Sequence, residues 1–147
     1  MTGELVADEA ALVGIARDAR TVAVLGIKDA RDPDAPAYSI PALLAAGGVR
    51  VIGVNPKLPE ALGARTLATV AELPPGVDVL DVFRPVEAIP AHADELIALP
   101  PERRPRVVWL QTGIHHDAAA ARLVAAGYRV VQDRCLGVYR RRAERMP

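Results

Sequence analysis

Thr21-Val22-Ala23-Val24-Leu25-Gly26-Ile27-Lys28 and Arg50-Val51-Ile52-Gly53-Val54-Asn55-Pro56-Lys57 are two stretches of one pattern. Each opens on a nearly continuous apolar, β-rich run and closes on polar or turn-forming residues and a lysine. Runs of this kind read as strands covered on both faces, and the segment with helical spacing between them demands a parallel crossover. Val77–Phe83, Arg106–Leu110 and Tyr128–Gln132 repeat the pattern further along the chain. The alternation predicts an α/β fold, a doubly wound and mostly parallel sheet of five or six strands with helices on both faces.

Helical spacing marks Leu5–Asp18, Tyr38–Ala46, Val86–Ala98 and Asp117–Ala126, with a short turn of helix at Val70–Leu73. Gly47, Gly48 and Gly127 follow helices, where a left-handed residue ends the helix at little cost. Ala64–Thr66 is a possible short edge strand in a less regular stretch. The first 20 residues are expected to form an N-terminal helix packed on a sheet face through Leu5, Leu12, Val13 and Ala16. Residues 1–147 are read as one Rossmann-like domain, with the Thr21–Ile27 strand central and a switch point above Gly26.

Composition excludes several classes of function. With 18 basic and 18 acidic residues the formal charge is zero, so a polyanion such as nucleic acid is not expected as a partner. No apolar stretch is long enough to span a membrane, and Met1–Arg20 does not read as a signal peptide, so a cytoplasmic protein is expected. Cys135 is the single cysteine, which excludes an internal disulfide and a cysteine-based metal cage within one chain. Abundant arginine and proline with few amide side chains suit a heat-adapted source, although a GC-rich genome gives the same bias.

Open α/β sheets bind ligands outside the carboxyl ends of their strands. Lys28 and Lys57, the two lysines of a chain with 16 arginines, both fall there, at neighbouring strand ends. That placement points to a small molecule carrying phosphate. The loop after the first strand lacks the glycine pattern that brings backbone against a pyrophosphate. It is polar and long, and Lys28, Tyr38, Ser39 and the N–H groups opening the next helix would supply an anion site. The competing structural reading makes Ser39 a helix cap and Lys28 a solvated charge. At the end of the second strand Asn55-Pro56-Lys57 stands where an NAD site places an acid for the ribose hydroxyls. Lysine there disfavours plain NAD and favours an added ribose phosphate, as on the 3′ oxygen of coenzyme A or the 2′ oxygen of NADP.

Taken in order, Gly26 with its loop to Tyr38-Ser39, Asn55-Pro56-Lys57, Val79-Leu80-Asp81-Val82-Phe83-Arg84, Trp109-Leu110-Gln111-Thr112-Gly113 and Asp133-Arg134-Cys135 resemble the small stand-alone CoA-binding domain proteins. Such domains are similar to the CoA-binding Rossmann domain of the succinyl-CoA synthetase alpha subunit. The resemblance implies coenzyme A or an acyl-CoA as ligand and implies no reaction. Under it, Gly26, Ile27 and Lys28 line the first loop, with Tyr38 and Ser39 near a phosphate. Asn55, Pro56 and Lys57 flank the adenosine end, and Phe83 and Arg84 lie beside them, the ring to pack against the nucleotide and the guanidinium to pair with its charge. Gln111, Thr112 and Gly113 border the pantetheine.

Candidates for chemistry are weaker. Cys135 lies on the same rim and would form a mixed disulfide with CoA under oxidation, although a small buried hydrophobe is the plainer account. His115 and His116 with Asp117 read as solvated residues at a helix start, Asp117 the cap, rather than as zinc ligands. Asp81 interrupts an apolar strand and is expected to find a partner in a loop N–H group or an arginine. The Arg140–Arg142 run reads as a solvated tail, or as a grip on CoA phosphates or an acidic partner. No catalytic residue and no metal site is assigned. The expected function is binding of CoA or an acyl-CoA without catalysis by itself, with an unidentified protein partner to supply any reaction. The alternatives are an NADP-dependent oxidoreductase, which shares the fold, and a detached subunit of an acyl-CoA ligase.

Overall fold

The computed structural model describes residues 3–146. A six-stranded parallel sheet forms its centre, built from β1 (Glu4–Leu5), β2 (Thr21–Leu25), β3 (Arg50–Val54), β6 (Val79–Val82), β7 (Val107–Leu110) and β8 (Arg129–Val131) in the spatial order β1-β8-β7-β6-β2-β3. Between β3 and β6 the strands β4 (Glu60–Ala61) and β5 (Ala64–Arg65) make a separate antiparallel hairpin. The helices are α1 (Glu9–Asp18), α2 (Pro36–Ala46), α3 (Ile89–Ala98), α4 (Asp117–Ala125) and α5 (Leu136–Glu144). The expected α/β, doubly wound, Rossmann-like arrangement is therefore the observed one.

Alternation along the strands explains why both faces are covered. In β2, Val22 and Val24 join one apolar layer while Ala23 and Leu25 join the other. In β7, Val107 and Trp109 face the first layer, and Val108 and Leu110 the second. Leu12, Val13 and Ala16 of α1, Leu44 of α2, and Leu136 and Tyr139 of α5 complete the first layer. The second is completed by Ile89, Ala93 and Leu96 of α3 and Ala119, Ala120 and Leu123 of α4. From β2 the chain turns through α2 to β3 on one side, and β6 then pairs on the other. The switch point thus lies above the carboxyl end of β2, where Gly26 has φ +87°.

Three expectations are corrected. The N-terminal helix does not begin at Leu5, because Glu4 and Leu5 pair with Arg129 and Val130 as an edge strand. Asp8 then caps α1, its carboxylate accepting from the Ala11 N–H at 2.9 Å. The stretch from Val86 to Ala98 is a 3₁₀ turn, Val86–Ala88, running into α3 rather than one helix. The Arg140–Arg142 run lies inside α5, an element absent from the sequence reading. Arg140 Nη1 donates to the carbonyls of Ala16 at 2.9 Å and Ala19 at 3.1 Å, satisfying groups at the end of α1. Arg142 pairs with Glu9 at 3.1 Å and lies over the Tyr139 ring at 4.7 Å. Arg140 and Arg142 thus tie α5 to α1, and the run is not a solvated tail. No helix among the described residues is long and apolar enough to cross a membrane.

Candidate functional site

The switch point opens into a cleft of about 180 Å³ lined by Leu25 and Gly26 from the end of β2 and Val54, Asn55 and Pro56 from the end of β3. Ala68, Thr69 and Val70 close one side; Arg84, His92 and Glu95 close another. A site that engulfs a whole drug-sized ligand runs to roughly 300–1,000 Å³, so this one is scaled to receive one moiety of a larger molecule.

Gly26 is required at the floor. A Cβ there would run into the Phe83 carbonyl oxygen, and its left-handed backbone already favours glycine. Asn55 fixes the rim by joining two strand ends. Its Nδ2 donates to the Ile27 carbonyl at 2.9 Å, and its Oδ1 accepts from the Lys57 N–H at 2.9 Å. Thr69 caps the 3₁₀ turn Val70–Glu72, while the Glu72 carboxylate accepts from the Ala68 and Thr69 N–H groups at 3.1 and 3.2 Å. That reciprocal cap holds Thr69 and Val70 against the cleft.

Four of the sequence-derived site residues, Gly26, Asn55, Pro56 and Arg84, meet in this cleft. Lys57 and Lys28 are exposed on the adjoining loops and do not line it. Ile27 is 1% exposed and belongs to the core; its carbonyl alone reaches the rim through Asn55. Phe83 likewise packs into the layer formed with α1, α2 and α5 rather than lining the cleft where a nucleotide ring would meet it. Tyr38 lines a separate shallow hollow with Asp29, Arg31 and the β4–β5 turn. There Arg31 donates to Asp29 at 3.0 Å and holds that carboxyl below its ordinary range.

The start of α2 offers less to an anion than its sequence suggested. Ala35, not Ser39, occupies the cap position, Pro36 has no N–H, and the Tyr38 and Ser39 N–H groups both donate to the Ala35 carbonyl at 2.9 Å. Gln111 is buried and spends its side-chain oxygen on the Leu136 N–H at 3.1 Å, at the start of α5. Thr112 is exposed. The Gly113 N–H donates to the Asp133 carboxylate at 2.6 Å, tying the β7–α4 and β8–α5 loops together. At α4 the cap is His116, whose Nδ1 accepts from the Ala119 N–H at 3.1 Å, so Asp117 is the first helical residue rather than the cap. Asp117 instead pairs with His115 at 2.7 Å and accepts from Gln132 at 3.3 Å, which with the His115 charge keeps its carboxyl below the usual range. Among the described residues, no cluster of three or more histidine, cysteine or carboxylate side chains is arranged to hold a metal ion.

His92 and Glu95 were not anticipated. They stand one turn apart on α3, His92 Nδ1 lying 2.8 Å from Glu95 Oε1, and Arg84 Nε donates to His92 Nε2 at 3.4 Å. The i, i+3 spacing in Ala91-His92-Ala93-Asp94-Glu95 was readable, but only the approach of α3 to the end of β6 turns that face toward the cleft. Asp81 also departs from expectation. It is 0% exposed and, among the described residues, neither carboxylate oxygen has a hydrogen-bond partner.

Comparison with known proteins adds a family. The family model described as CoA binding domain matches residues 20–141. The protein YneT of Bacillus subtilis (strain 168), described as uncharacterized, is 30% identical over 124 residues, covering 84% of this chain and 87% of that one. A solved structure of cell-free ID.343 from Thermus thermophilus superposes with a TM-score of 0.83 at 40% identity, covering 93% of this chain and 99% of that one. The dinucleotide-forming acetyl-coenzyme A synthetase 1 of Ca. Korarchaeum cryptofilum shares the fold alone, with a TM-score of 0.59 at 19% identity over 76% of this chain and 25% of that one.

Proposed function

We propose that this chain, which belongs to the CoA binding domain family, binds coenzyme A or an acyl-CoA at the switch-point cleft and does no chemistry on it alone. The observation that carries the reading is the meeting of Gly26, Asn55, Pro56 and Arg84, from three strand ends, in one hollow with an apolar wall. Pro56 and Ala68, exposed above the buried Leu25, Val54 and Val70, give a flat base an apolar surface, and the cleft's small size suits the base and its sugar while the longer arm runs outside. Lys28 and Lys57, on loops joined through Asn55, offer two exposed ammonium groups to the diphosphate as it leaves the cleft. The arm would then follow the rim toward Gln111, Thr112 and Gly113, with Tyr38 and Ser39 bordering the first loop.

Titration calorimetry with CoA tests the reading directly, with NADPH as the competing ligand. Saturable heat with CoA and none with NADPH is expected. Saturable binding of NADPH with no response to CoA would replace this reading with a nicotinamide-dependent one. Denaturing the purified protein and weighing any released small molecule is the independent check, and a CoA mass is the expected result.

A further inference from the structure

We propose that Arg84, held in place by His92 and Glu95, is the residue that recognises a phosphomonoester on the ligand's ribose, and that Lys57 is not. The inference rests on the preceding reading in that a ribose-bearing nucleotide must occupy the cleft.

Arginine at position 84 is the one lysine or arginine among the residues lining the hollow. Lys57, which the sequence placed at the usual ribose position, sits outside that lining and is exposed. The Arg84 stem crosses the floor, its Cδ 3.2 Å from where a Cβ on Gly26 would stand. Its side chain therefore begins where the ends of β2 and β6 adjoin and reaches out over the mouth of the cleft.

The guanidinium is oriented by a chain of contacts. An N–H donor needs a lone pair, so the 3.4 Å contact from Arg84 Nε requires His92 Nε2 to be unprotonated. The ring proton then lies on Nδ1 and is donated to Glu95 Oε1 at 2.8 Å. Glu95 thus fixes the tautomer and lies across the imidazole from Arg84, so that its negative charge is set back from the guanidinium. The tether consumes one of five donors. Among the described residues Arg84 forms no ion pair, so its terminal Nη groups keep the planar fork that matches two phosphate oxygens at once. Asn55 is the weaker candidate, because its Oδ1 and one of its two Nδ2 hydrogens are already engaged and its amide carries no charge. A base against the exposed Pro56 and Ala68 would leave its ribose at the mouth, where that fork stands.

The chemistry recognised is a ribose phosphomonoester, which coenzyme A carries on the 3′ oxygen and NADP on the 2′ oxygen. Titration calorimetry of the wild type and of Arg84→Gln, Lys57→Gln and His92→Ala, with CoA, dephospho-CoA, NADPH and NADH, separates these sources. The wild type is expected to prefer CoA over dephospho-CoA by about tenfold or more, the usual scale of a charge-assisted pair. Arg84→Gln should erase that preference and leave dephospho-CoA affinity unchanged, while Lys57→Gln should retain it. His92→Ala should reduce the preference without weakening dephospho-CoA; a merely structural histidine would weaken both ligands alike. A preference for NADPH over NADH that follows the same variants supports the same fork with the 2′ ester as its source. Loss of preference in Lys57→Gln but not in Arg84→Gln overturns the assignment. Binding with no phosphate preference overturns this inference alone, whereas binding of none of the four removes the nucleotide reading with it.

Discussion

Asp81 lies between Val24 and Trp109 in the sheet register, and among the described residues its carboxyl has no donor to stabilise a charge. Burial alone pushes it well above the ordinary value of 3.8, since no charged group contributes. A folded value raised above the unfolded one favours folding while the group is protonated in both states. That contribution is complete below 3.8 and is lost as pH rises through the folded value. Chemical denaturation is therefore expected to show stability falling as pH is raised from the mildly acidic range toward neutrality. Asp81→Asn should remove the slope this carboxyl causes, and Asp81→Val, which removes the unpaired polar group as well, should raise stability at pH 7 by about 1–3 kcal/mol. An unchanged slope in both variants would assign it elsewhere. Gly26 makes the opposite prediction. With the Phe83 carbonyl in the path of any side chain and φ at +87°, Gly26→Ala should lower the melting temperature and weaken ligand binding together, as read by thermal unfolding with and without CoA.

Helix α5 shows how an element escapes a reading by composition. Leu136-Gly137-Val138-Tyr139-Arg140-Arg141-Arg142-Ala143-Glu144 is dominated by charge, and a charge run by itself suggests solvent. Its inward apolar side chains are only Leu136, Tyr139 and Ala143, with Val138 exposed, and its arginines gain their meaning only from α1, whose carbonyls and Glu9 lie far away in the chain. The parallel strands were legible because each is apolar on both faces; a helix held by arginine–carbonyl and arginine–carboxylate contacts is not. Likewise the two-residue β1 carries too few residues for any periodicity. Arg140→Ala should destabilise the fold by about 1.5–3 kcal/mol by uncapping the end of α1, measured by denaturant unfolding. His116→Ala, which removes the ring that caps α4, should cost about 0.5–2 kcal/mol in the same measurement.

At the scale of the molecule, strand order decided where the candidate cleft lies, and that order followed from patterns in the sequence. Gly26, Asn55, Pro56 and Arg84 were legible because they fall just past strand ends, where position along the chain fixes position in space. His92, Glu95 and Thr69 were not, because they reach the cleft through helix and turn packing that no local pattern encodes. Phe83 and Ile27 stand away from the cleft lining for a related reason: at a strand end one side chain faces the rim and the next faces the core, and the register alone decides which. Ligand that binds only the folded chain should stabilise it by about 2.7 kcal/mol at a hundredfold excess over Kd, so the melting temperature should climb with CoA concentration. A flat response would count against the cleft as a nucleotide site.

The docking of α5 on α1 also bears on how the chain is made. Tyr139 donates to Glu9 at 2.6 Å across 130 positions, and Arg142 reaches the same carboxylate across 133. During synthesis the first helix leaves the ribosome with its partner still untranslated, and the sheet face shared by Val22, Val24 and Trp109 stays open until the final described element emerges. A nascent chain stalled before Leu136 would therefore display that greasy face to chaperones, making the emergence of Leu136–Glu144, rather than the pairing of the central strands, the moment at which this fold closes.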